Sequence, residues 1–68
     1  MSERNPAIDP QPGDELAGNP WRYLVVWNEI DRVTYELYSK DWGYVAAHSV
    51  SLAGWRDMAA DLTVERVA

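Results

Sequence analysis

The sequence predicts a mainly β fold: a small, partly open barrel of about five antiparallel strands with one short helix, Ser51–Ala60, before the last strand, behind a disordered N-terminal tail. Three observations carry this. All four prolines (Pro6, Pro10, Pro12, Pro20) precede all four tryptophans and all four tyrosines, which begin at Trp21. From Trp21 onward the apolar residues recur mostly with the period of two expected of strands. Near the end, Leu52, Trp55, Met58 and Ala59 fall instead on one stripe of a short helix.

Residues 1–12 are polar and interrupted by Pro6, Pro10 and Pro12, which remove backbone donors and favour extended geometry, so disorder is expected there. Residues 13–68 then form one domain. Pro12-Gly13-Asp14 is a turn signal, Glu15-Leu16-Ala17 a short first strand, and Gly18-Asn19-Pro20 a second turn. Trp21–Trp27 is β-branched and aromatic, with Tyr23, Val25 and Trp27 alternating against Leu24 and Val26. Asn28–Asp31 reads as a hairpin connection. Val33–Tyr38 alternates cleanly, Val33, Tyr35 and Leu37 against Thr34, Glu36 and Tyr38, as a half-exposed strand does.

Lys40-Asp41-Trp42-Gly43 forms the next turn, with Gly43 free to take positive φ. Tyr44–Val50 is a further strand, whose Ala46-Ala47 pair favours a bulge or helical excursion. Ser51 suits an N-cap, and Gly54 limits the helix to one or two turns. Leu62–Val67 closes the chain as a strand. This element order, with a helical turn just before the last strand, is that of an SH3-like small barrel, in which closure removes exposed edges. A twisted open sheet with the helix across one face is the alternative.

The pattern Pro10-x-Pro12-Gly13-Asp14-x-Leu16, then Arg32-Val33-Thr34-Tyr35, then Ser51-Leu52-Ala53-Gly54-Trp55-Arg56 resembles small uncharacterised proteins of bacterial genomes and prophages. The resemblance implies an accessory protein of a phage or other mobile element, and it carries no functional residues with it.

With 68 residues and no cysteine, stability must come from buried aromatics or from self-association. The formal charge of −5 disfavours long-range attraction to nucleic acid or anionic lipid. No apolar run is long enough to span a bilayer, and the first residues lack the apolar core of a secretory signal, so a cytoplasmic location is expected. His48 is the one conventional general base, but Ser49 would point to the opposite sheet face, and no nucleophile elbow accompanies it. Asp9, Asp14 and Glu15 read as a solvated acidic face rather than a cation site. No catalytic, cofactor or metal residues are therefore assigned, and the chain is read as non-enzymatic.

The aromatics carry the functional expectation. Tyr23, Trp27, Tyr35 and Trp55 are expected in the core by their periodicity. Tyr38, Trp42 and Tyr44, with Arg32 as the nearby cation, are the candidate partner-binding residues, since exposed Trp, Tyr and Arg dominate protein-binding hot spots. The proline-bearing leader is a candidate occupant of that aromatic surface. A protein partner is the expected ligand. A nucleic-acid-binding small barrel and a structural subunit of a homo-oligomer are the alternatives.

Overall fold

Strand Glu15–Ala17 (β1), strand Trp21–Glu29 (β2), strand Arg32–Ser39 (β3), strand Gly43–Ser51 (β4), helix Leu52–Ala59 (α1) and strand Thr63–Arg66 (β5) follow one another in a computed structural model that describes residues 4–18 and 20–68. The strands form one antiparallel sheet in the order β4-β3-β2-β1-β5. This is the SH3-like strand order, with the helix between β4 and β5. Closure does not follow: β4 and β5 are the two free edges, and the sheet is open and uncurled. The expected Gly18-Asn19-Pro20 turn includes Asn19, which lies outside the described residues.

The elements match the sequence pattern closely, with β2, β3 and β4 somewhat longer and β5 shorter than expected. β2 runs on through Asn28 and Glu29, so the connection to β3 shrinks to Ile30-Asp31. Gly43 takes φ +77, as the turn before β4 requires, and nothing lies within 4 Å of where a Cβ would sit. Ser51 caps α1 by accepting from the Gly54 N–H at 3.0 Å.

Register decides which side chains reach the core. Tyr23, Val25, Val33 and Tyr35 share the inner face with Leu16, and α1 lies across it through Trp55 and Ala59. Leu16, Val25, Val33 and Trp55 are completely buried. Tyr35 stands at the centre, its ring 5.5 Å from Trp55 and 5.6 Å from Tyr23, with its hydroxyl on the Met58 sulfur. Burial raises its phenol pKa above the usual tyrosine value, with a smaller contribution from Tyr23.

Bulges on β2 and β4 change the faces that simple alternation assigns. Val25 pairs with Tyr35 but Trp27 pairs with Thr34, leaving Val26 as the extra residue on β2. Trp27, expected in the core, therefore sits on the outer face at 59 % exposure. Asn28 moves to the inner face in its place, where its side chain donates to the Pro10 carbonyl at 3.0 Å. The second bulge, at Val45 on β4, falls next to the Ala46-Ala47 pair where an irregularity was expected.

The leader differs most from expectation. Residues 4–12, expected to be disordered, pack against the inner layer, and Pro6 and Pro10 are fully buried. The Trp55 indole N–H donates to the Pro6 carbonyl at 2.9 Å, and Arg56 Nε donates to the Ile8 carbonyl at 2.8 Å. Residues 1–3 of that expected tail lie outside the described residues. The physical reason is hydrogen-bond satisfaction. A buried indole N–H needs an acceptor, and the leader backbone supplies it at Pro6.

Asp14 is corrected as well. Expected on a solvated acidic face, its side chain is fully buried. It pairs with the Arg4 guanidinium, which reaches it through two nitrogens, and accepts from the backbone N–H groups of Gln11 and Ala68, both at 2.7 Å. The Asp14 N–H and C=O bond to Gln11 and Val25. Through its carboxylate Asp14 thus ties the leader to the last described residue, and through its backbone carbonyl to β2.

Candidate protein-docking surface

β3 and β4 bring Tyr38 and Tyr44 side by side on the outer face, because they are paired in register just before the Val45 bulge. Their rings meet edge to face with centroids 5.8 Å apart. Tyr38 donates its hydroxyl to Glu36 Oε1 at 2.9 Å. That bond to a carboxylate holds the Tyr38 phenol pKa above its ordinary value, with further contributions from desolvation and neighbouring charge.

The turn between β3 and β4 carries Trp42 to 85 % exposure, while Ser39 Oγ accepts from the Asp41 N–H and shapes the turn. Trp42, Tyr44, Trp21, Val45 and Ser39 line an open, largely apolar depression of about 420 Å³. A neighbouring depression of about 430 Å³ on the outer face is lined by Tyr38, Arg22, Lys40, Glu15 and Leu24. Arg22 pairs in register with both Ala17 and Tyr38, which places it in the lining of this second depression.

Three of the four candidate residues are therefore gathered at one end of the sheet, and Arg32 is not. Arg32 opens β3 opposite Glu29 and Ser51. It lies six residues along the strand from Tyr38, about 20 Å at roughly 3.3 Å per residue. The cations at the aromatic end are Lys40, in the turn beside Trp42, and Arg22, which the sequence pattern does not single out. The hairpin register that would have placed Arg22 opposite Tyr38 is shifted by the Val26 bulge, so counting back from the turn misses it. The described leader residues do not occupy this surface. Their contacts are with Trp55 and Arg56 on the other side of the sheet.

Catalytic arrangements are not assembled by these residues. His48 lies on the inner face with its ring 5.8 Å from Tyr35, while Ser49 faces outward and shares a 2.7 Å hydrogen bond with Thr34. Among the described residues, no group of three or more His, Cys, Asp or Glu side chains is placed to hold a metal ion. No described helix is long and apolar enough to cross a membrane.

Comparison with known proteins finds no matching family, curated relative or solved structure. The resemblance to small prophage proteins thus rests on the quoted motifs alone.

Proposed function

We propose that this chain is a small non-enzymatic protein-binding module whose docking surface is the aromatic end of the sheet: Trp21, Tyr38, Trp42 and Tyr44, flanked by Arg22 and Lys40. The observation that carries the reading is the exposure of Trp42 and Tyr44 beside an apolar depression at a point where two strands and a turn meet. Large aromatics left in water cost free energy that a partner recovers. An apolar depression edged by the Ser39 and Tyr44 hydroxyls, with Arg22 and Lys40 lining the depression beside it, offers an anchor site with polar surroundings. On the quoted motifs, the setting is an accessory protein of a mobile element.

The test is quantitative capture from the source cell with the wild type, Trp42→Ala and Arg32→Ala attached to beads. A protein retained by wild type and Arg32→Ala but lost by Trp42→Ala supports the reading. Capture unaffected by Trp42→Ala contradicts it. So does a partner that is single-stranded nucleic acid, released steeply with salt, since that would make Arg22, Lys40 and the aromatics a stacking groove.

A further inference from the structure

The two free edges of the sheet are built differently. β5 is four residues long, carries Glu65 and Arg66, and is irregular where Glu65 is skipped in its pairing with β1, all features that blunt an edge against further pairing. β4 has nine residues, Gly43–Ser51, with no proline and no Asp, Glu, Lys or Arg. Every other strand, and the helix, contains at least one charged residue. The β4 backbone bonds to β3 on one side. Among the described residues, no backbone bond leaves its other side. After the Val45 bulge, Ala46–Ser51 forms a regular edge about 20 Å long at roughly 3.4 Å per residue.

We propose that this edge pairs antiparallel with the same edge of a second copy, making one continuous ten-stranded sheet with both helices on the same side. Charge selects a second copy as the occupant. Two chains of net charge −5 repel over most of their surfaces, and β4 is the element through which they can meet without opposing any side-chain charge. The carboxylate on the neighbouring strand β3, Glu36, pairs with Ala47. Across the joined edges the two Glu36 side chains stand three strand spacings apart, about 14 Å, beyond the screening length of roughly 8–10 Å at physiological salt. The small Ala46 and Ala47 side chains let the two strands approach. So short a seam buries less than the roughly 1,200 Å² typical of stable complexes, so the dimer is weak and exchanges freely. The proposal stands on the β4 edge alone and does not depend on the aromatic surface.

Sedimentation velocity across micromolar to millimolar concentration, with amide exchange of residues 46–51 at both extremes, tests it. The expected result is a rise from monomer to dimer mass that strengthens with added salt, with new protection confined to β4. Ala47→Lys, at an exposed side chain, is expected to weaken the dimer at least ten-fold with an unchanged circular dichroism spectrum. Trp42→Ala is expected to leave it intact. A monomer at every concentration overturns the proposal. A dimer insensitive to Ala47→Lys, or one lost on Trp42→Ala, overturns it too.

Discussion

The indole N–H of Trp55 donates to the carbonyl of Pro6 across 49 residues of chain, at 2.9 Å and out of contact with water. Helix and leader are one structural unit on the inner face of the sheet. Trp55→Phe should therefore cost more than the change in ring size suggests, because it leaves the Pro6 carbonyl buried without a donor, a penalty of about 1–3 kcal/mol. Trp55→Ala should cost about 3–5 kcal/mol, enough to threaten folding of a domain this small. Urea denaturation of both variants checks the order.

Removal of residues 1–12 is expected to lower the thermal midpoint sharply rather than leave it unchanged. The deletion takes the Pro6 acceptor from Trp55, removes Ala7 from the edge of the core, and leaves Asp14 without Arg4 and the Gln11 N–H. A disordered tail would have no such effect, so a calorimetric scan of the truncated chain separates the two descriptions.

Burial alone would raise the Asp14 pKa. The Arg4 guanidinium and the N–H groups of Ala68 and Gln11 outweigh that and hold it below the ordinary carboxylate range. A carboxyl depressed in the folded state contributes stability at pH above its unfolded value, about 3.9, and loses that contribution as pH falls through the folded value. Stability is thus expected to fall below pH about 4. Arg4→Ala should destabilise the protein clearly at pH 7, where it strands a buried carboxylate, and less in strong acid near pH about 2, where the variant's buried and unpaired carboxyl is free to take up a proton. Denaturation midpoints of both proteins at the two pH values measure the difference.

Gly43 at φ +77 sits in open space, so a side chain there meets only the backbone penalty. Gly43→Ala should cost about 1–2 kcal/mol, and Gly43→Asn less, because Asn tolerates the left-handed region. Thermal unfolding of the pair checks this.

The strand boundaries, the N-cap at Ser51 and the helix stripe were legible because each depends on neighbours within a few residues. What escaped depends on distant parts of the chain. Alternation assigned Trp27 to the core, yet one unpaired residue at Val26 turns it outward, and nothing in the local pattern marks that bulge. Asp14 looked like one more surface acid because its partners, Arg4 and Ala68, lie 10 and 54 residues away. Prolines at positions 6 and 10 suggested an untethered leader, but the donors that hold it come from Trp55 and Asn28. At the candidate site the aromatic members were readable from turn and strand position. Arg22 beside them needed the register.

The central functional claim is that Trp42 anchors a protein partner. Comparison of what wild type, Trp42→Ala and Arg32→Ala retain from the source cell tests it most directly. Trp42→Ala is expected to lose the bound protein by roughly thirty-fold or more, the effect of removing a hot spot worth about 2 kcal/mol, while Arg32→Ala, at the far end of β3, keeps it. Equal retention by all three proteins would contradict the claim.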